Sequence, residues 1–166
     1  MNGKESPNTF TIRPAVPADK AWINELLTQR WGAPEIVSRG KIHNAVELPA
    51  FIAETDSQYS GLAIYIIEGD SCEMVTLNSL RQNIGIGTAL VETVKSEAAN
   101  NQCKRLWLIT TNDNTPATRF YQKLGFRIAA IYPNAIEKSR ELKPSIPLYG
   151  IDGIPVRDEI ELEMLL

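Results

Sequence analysis

The sequence predicts a layered α+β (α/β/α) domain: a mixed, mostly antiparallel central sheet of about 6–7 strands with helices on both faces. Three observations lead there. Three strand-like runs follow one another across short turn-rich breaks, the pattern of an antiparallel meander. A helix-periodic segment then joins the last run to a short apolar strand, a βαβ crossover whose two strands lie parallel. Finally, the 166 residues match one domain, and no linker, repeat or low-complexity tract divides them, so residues 1–166 read as a single unit.

The elements follow in order. Thr9 to Arg13 alternates and stops at Pro14, a first strand. After Pro17, residues Trp22, Ile23, Leu26, Leu27 and Trp31 recur at helical spacing. Gly32, Pro34 and Gly40 interrupt residues 32–48, which read as a short helix inside a long loop. The meander runs Pro49–Glu54, Gly61–Glu68 and Cys72–Leu80, broken at Asp56-Ser57-Gln58 and Gly69-Asp70-Ser71. Gly87 to Asn100 is a helix whose buried stripe is Leu90, Val91, Val94 and Ala98, and Leu106 to Thr110 is a buried strand. Asn114 caps a helix that runs to Leu124 and stops at Gly125, and Phe126 to Tyr132 is again a strand. With Pro144, Pro147, Gly150 and Gly153, residues 133–155 read mostly as loop. Glu159 to Glu163 alternates as an exposed or edge strand does.

Composition excludes several classes of function. Seventeen Lys and Arg against 20 Asp and Glu leave a formal net charge of −3, so no basic footprint for nucleic acid or an anionic membrane exists. Cys72 and Cys103 lack metal-ligand spacing and are too few for a disulfide framework; they read as small buried residues, and no metal is expected. Residues Met1 to Pro7 have no apolar core region, so no secretory signal is expected there. The apolar run Leu62–Ile67 is far shorter than the roughly 20 residues that span a bilayer. The expected location is cytoplasmic, with no nucleic-acid or membrane partner.

Between a strand end and a helix start lies Gln82-Asn83-Ile84-Gly85-Ile86-Gly87-Thr88. The first turn of a helix presents unpaired N–H groups and the positive end of the macrodipole, which suits a phosphate. A Walker loop requires Gly-Lys-Ser/Thr, whereas Gly87 is followed by Thr88 and Ala89. A dinucleotide fingerprint requires a third glycine where Leu90 stands. A plain tight turn accommodates the same letters. So does Q/R-x-x-G-x-G/A, met by Gln82, Gly85 and Gly87.

A second motif follows: Asn114-Thr115-Pro116-Ala117-Thr118-Arg119-Phe120-Tyr121-Gln122-Lys123-Leu124-Gly125-Phe126. Each piece alone is explained by capping, core filling or helix termination. Both motifs together, in this order and with a strand between them, resemble the GNAT superfamily of acyl-CoA-dependent N-acyltransferases. The resemblance covers the chain from the first strand to about Ile131. It is weak over residues 32–48, and the long stretch 133–155 departs from the minimal pattern, which leaves the shape of the substrate pocket open.

The resemblance implies a GNAT-like fold and acetyl-CoA as co-substrate. It implies that the sheet splays after the fourth strand. Backbone N–H groups near Asn78, Ser79 and Leu80 would hold the pantetheine arm and the acetyl oxygen, and Gln82 with the amides of Ile84, Gly85, Ile86, Gly87 and Thr88 the pyrophosphate. Asn114 and Ala117 would line the CoA arm. Tyr121 matches the tyrosine that protonates the leaving thiolate, or it packs with its hydroxyl at a solvent edge. Glu73 is the candidate base: several family members carry a glutamate early on this strand, where alternation puts it on one face with Val75, Leu77 and Ser79. An exposed strand-end carboxylate is the alternative.

Trp31, Arg39 and His43 fall where the family builds its acceptor pocket. Equally, Trp31 reads as the last core residue of its helix, Arg39 as a solvated arginine and His43 as a surface loop residue. The expected activity is acetyl transfer to a primary amine of a small molecule. A catalytically silent acyl-CoA-binding module and a protein N-terminal or lysine acetyltransferase remain open. So does a homodimer formed through the strand near the C-terminus.

Overall fold

A computed structural model describes residues 9–166 of the chain; the reading of Met1 to Pro7 lies outside the described residues. The elements are β1 (Phe10–Pro14), α1 (Lys20–Trp31), β2 (Glu35–Ser38), β3 (Lys41–Asn44), β4 (Ala50–Thr55), β5 (Gln58–Glu68), β6 (Ser71–Ser79), α2 (Ile86–Asn100), β7 (Arg105–Thr111), α3 (Thr115–Lys123), β8 (Arg127–Tyr132), α4 (Ala135–Leu142) and β9 (Glu159–Leu165). Seven strands form one sheet in the order β1-β4-β5-β6-β7-β9-β8, and β2 pairs with β3 in a separate hairpin. All neighbours in the large sheet are antiparallel except β6 and β7. The mixed, mostly antiparallel sheet is as expected.

Apolar stripes place the helices on both faces. Leu90, Val91, Val94 and Ala98 of α2 join Tyr121 of α3 over Met74, Leu106, Leu108 and Leu162. On the opposite face Ile23, Leu26 and Leu27 of α1 cover Ile52, Leu62 and Ile64. Cys72 and Cys103 are free and buried, and burial pushes the Cys72 thiol up to about 12. Both behave as small core residues. Among the described residues no helix is long and apolar enough to cross a membrane.

Residues 32–48 differ from expectation: they carry the β2–β3 hairpin and one 3₁₀ turn rather than a short helix in a loop. Ser38 pairs with Lys41 across a two-residue turn in which Arg39 (φ 50°) and Gly40 (φ 72°) are both left-handed. Tight hairpins demand this geometry, and Asn or Asp is the usual first residue. Arg39 holds it through tertiary contacts. Its backbone N–H donates to Glu159 Oε2 at 3.1 Å, and its guanidinium lies 3.2 Å from the Tyr132 ring centroid.

Two further expectations are corrected near the C-terminus. Residues 133–155 include α4, which starts after Asn134, whose backbone N–H is tied to Asp158 Oδ1 at 2.8 Å. Strand β9 is no edge: it lies between β7 and β8, and the edges are β1 and β8. Its alternating Glu159, Glu161 and Glu163 face arginines rather than open solvent. Arg39 Nη1 stands 3.6 Å from Glu159, Arg105 Nη2 3.2 Å from Glu161 and Arg127 Nη2 2.8 Å from Glu163. With both sides of β9 filled, it offers no free edge for pairing across a two-fold axis.

Candidate active site

The site arises where two parallel strands part. β6 and β7 pair only over Ser71–Glu73 and Arg105–Trp107. Beyond that point Val75 and Thr76 on one side, and Ile109 to Thr111 on the other, bound a cleft of about 800 Å³. Trp31, β2, α4 and the segment from Ser145 to Ile151 complete its wall.

A bulge sets which side chains enter the gap. Ile64 pairs with Thr76 but Tyr65 with Met74, so Val75 is the extra residue on β6. Val75 and Thr76 therefore both face the cleft, and the alternation reverses after them. Leu77 packs with the α2–α3 core, while Asn78 hydrogen-bonds Thr76 Oγ1 at 3.1 Å. The expected common face of Glu73, Val75, Leu77 and Ser79 is thus broken: Leu77 and Ser79 lie opposite Val75.

At the mouth of the gap the chain turns into α2. Gly85 adopts φ 87°, the left-handed region that favours glycine, and open space surrounds the position a Cβ would take. The first helical closure is Ala89 N–H to Gly85 O at 3.0 Å, so the amides of Ile86, Gly87 and Thr88 have no partner within the helix. Gly87 packs against Phe120 of α3, while Gln82 and Thr88 are exposed and Ile84 and Ile86 anchor the turn in the core. Leu80 departs from expectation: its N–H donates to Ser60 O at 2.9 Å and is not free. Successive strand amides point to opposite edges, so the Ser79 N–H faces the side from which β7 has moved away.

Asn114 caps α3 as expected, accepting from the Ala117 N–H at 3.2 Å, and lines the cleft. Tyr121 is buried between Phe120 and Phe126, edge-on to both rings, with centroids 5.1 and 5.5 Å away. Burial pushes its phenol above the usual range, so it stays a neutral donor. Trp31, read either as part of an acceptor pocket or as the last core residue of its helix, is 46% exposed and lines the cleft, because α1 ends there. Arg39 is braced by Glu159 and Tyr132 rather than freely solvated.

His43 is neither on a loop nor at the surface. It sits on β3, buried, with Nε2 3.7 Å from Glu73 Oε2. Ser38 lies beside the same carboxylate, and neither the Ser38 hydroxyl nor His43 Nε2 makes a well-formed hydrogen bond. This cluster lies under the hairpin, and neither Glu73 nor His43 lines the cleft. Burial, the largest cause, pushes the Glu73 carboxyl above its ordinary value of 4.5. Stability from the neutral carboxyl is then full below about 4.5 and lost as pH rises through the elevated native value. Glu73→Gln keeps the group neutral at every pH. The melting temperature of the variant relative to the parent should therefore rise with pH above that point; parallel profiles would remove the effect.

Sequence reading missed the two carboxylates that do line the cleft, Asp113 and Glu159. Asp113 sits inside the run Asn112-Asp113-Asn114, next to the recognised cap, and that adjacency was the available signal.

The acetyltransferase (GNAT) family model matches residues 20–126. The chain is 44% identical over 142 residues to the uncharacterized protein YdhI of Bacillus subtilis (strain 168), covering 85% of this chain and 89% of that one. Among solved structures, a GNAT family acetyltransferase from Elizabethkingia anophelis with acetyl-CoA bound is 25% identical. It superposes with a TM-score of 0.68 over 97% of this chain and 100% of that one. The IAA acetyltransferase of Bacillus cereus ATCC 14579 shares the fold at TM-score 0.71, with 20% identity over 95% of this chain and 100% of that one. The parting strands β6 and β7, the glycine turn and the capped α3 all fall within the matched residues, and the chain belongs to the GNAT family of acetyltransferases.

Proposed function

We propose that the protein moves an acetyl group from acetyl-CoA to the primary amine of a small molecule, by direct attack through a tetrahedral intermediate. The observation that carries this is the gap between β6 and β7, which joins the α2–α3 side of the sheet to the enclosed cleft on the other face. A thioester threaded from one side meets an amine held on the other, which supplies the proximity that a bimolecular transfer needs. The bound acetyl-CoA in the Elizabethkingia relative supports the donor. A volume near 800 Å³ falls in the range of small-molecule pockets, which favours a compact acceptor over an extended peptide.

In this reading the amides of residues 84–88 hold the pyrophosphate at the positive end of α2, with Gln82 at the rim. The Ser79 N–H, Leu80, Asn114 and Ala117 line the pantetheine arm. Tyr121 protonates the thiolate as the C–S bond breaks. Trp31 walls the acceptor side, and Arg39 holds the hairpin that covers it. Glu73 and His43 act on this side only through the hairpin they support. A cytoplasmic setting, where acetyl-CoA is at hand and thiols stay reduced, fits the free Cys72 and Cys103.

Calorimetric titration with acetyl-CoA, with NADH and ATP as controls, tests the donor. Thiol release across a panel of amines and peptides tests the transfer. Saturable binding of acetyl-CoA alone, with release driven by small amines, is the expected result. Binding without release would make the protein an acyl-CoA-binding module, and release by peptides alone would make it a protein acetyltransferase.

A further inference from the structure

Asp113 ends the turn after β7, is only 6% exposed, and still lines the cleft. Its carboxylate accepts from the Thr111 hydroxyl through Oδ1 and from the Ile151 backbone N–H at 3.2 Å through Oδ2. Both donors are neutral, and among the described residues no ion pair reaches this carboxylate. A buried carboxylate held only by neutral donors has no counter-charge beside it, and a cation brought to it gains more than it would at the surface.

The surrounding chain is fitted to this group. A Cβ on Gly150 would stand 2.0 Å from Asp113 Oδ2 and 2.6 Å from its Cγ, so the covering loop runs against the carboxylate at a residue that has no side chain. The other charges of the cleft are accounted for differently. Glu159, 2% exposed, already receives the Arg39 N–H and guanidinium. Lys143 donates to Glu35 O at 2.8 Å, and Arg30 is exposed at the end of α1. Much of the remaining wall is apolar, from Trp31, Ile36, Ile109, Ile136, Ile146 and Val156.

We infer that the acceptor is a primary amine with an apolar body and no carboxylate, seated with its ammonium on Asp113. The inference rests on the cleft being the acceptor side of the transfer proposed above, and it names what that side selects. The ammonium gives one proton to Asp113, and the freed lone pair forms the C–N bond to the thioester carbon. The tetrahedral adduct then expels sulfur, which takes a proton from Tyr121. The second proton of the nitrogen returns to Tyr121 through solvent, and Asp113 releases its own to bulk water, so one proton leaves per turnover. Amino acids gain little from their carboxylate, because Lys143 is held on Glu35 O, Arg30 is exposed at the end of α1, and Asp113 and Glu159 line the same cleft.

Equilibrium binding of three probes to the CoA-loaded protein tests this: 2-phenylethylamine, L-phenylalanine, which adds a carboxylate, and 2-phenylethanol, which lacks the cation. The amine should bind on the order of tenfold or more tighter than either analogue. Asp113→Asn, whose single carbonyl oxygen can accept from the Ile151 N–H while its NH2 donates to the Thr111 hydroxyl oxygen, should abolish that preference while acetyl-CoA affinity holds. Equal or tighter binding of phenylalanine or phenylethanol overturns the inference, as does binding of none of the three or a preference that survives in Asp113→Asn. The comparison on the unaltered protein decides the amine class even where the variant fails to fold. Amine preference without any thiol release would instead defeat the transfer reading and leave the cleft's recognition of amines standing.

Discussion

Replacing Tyr121 by Phe should lower kcat by about 10²–10⁴-fold, the range for loss of a general acid, and leave acetyl-CoA affinity nearly unchanged. The separation of the two effects follows from packing. The Tyr121 ring is held edge-on by Phe120 and Phe126, and Phe keeps those contacts while removing the hydroxyl alone. Burial keeps the phenol neutral, so the group acts as a donor across the working pH range. That also suits the direction of transfer, since the departing sulfur needs a proton at the moment its bond to carbon breaks. Single-turnover thiol release, measured beside an acetyl-CoA titration, separates chemistry from binding. An unchanged rate removes Tyr121 from the chemistry. A parallel loss of rate and affinity makes its role one of packing.

The glycine turn before α2 and the capped α3 were legible in the sequence because their signals are local. A glycine with left-handed φ before a helix, an Asn whose side chain caps the next helix and a glycine after that helix act within a few residues of themselves. The hairpin and the wall of the cleft were not legible because their signals lie far apart in the chain. Arg39 takes a left-handed turn position on contacts with Glu159 and Tyr132, more than 90 residues away, so the hairpin looked like a broken loop. The glutamates of β9 looked solvent-facing because their arginines sit on other strands and on the hairpin. The bulge at Val75 reversed the face of every later residue of β6, and strict alternation has no means of anticipating it. Glu73 was therefore read either on one face with Ser79 or as an exposed strand-end carboxylate, whereas the hairpin that hides it was itself unread.

Asp19→Ala should cost about 3 kcal/mol of folding stability, the low end of the range for breaking a buried pair. Asp19 is 2% exposed and receives four hydrogen bonds. Arg13 donates at 2.8 and 2.9 Å, the Val16 N–H at 2.7 Å and the Tyr59 hydroxyl at 2.9 Å. The low end applies because the Arg13 side chain is 34% exposed and keeps Glu54 at 2.9 Å, so the cation is not stranded. The Arg13 hydrogen bonds, first among the causes, hold the Asp19 carboxyl well below its ordinary value of 3.8. Its contribution is thus complete above that value and lost as pH falls through the lowered native one, so the parent and variant should converge in acid. Urea unfolding at neutral pH and across an acid series measures both features. A loss below about 1 kcal/mol, or a gap that does not shrink in acid, defeats the assignment. The consequence for the site is one-sided. Asp19 fixes the start of α1, and 12 residues on, roughly 18 Å along the helix, Trp31 forms part of the cleft wall. The turn before α2 is built on the opposite face from α1. The folded fraction of Asp19→Ala should therefore bind acetyl-CoA like the parent and differ from it only in its handling of amines.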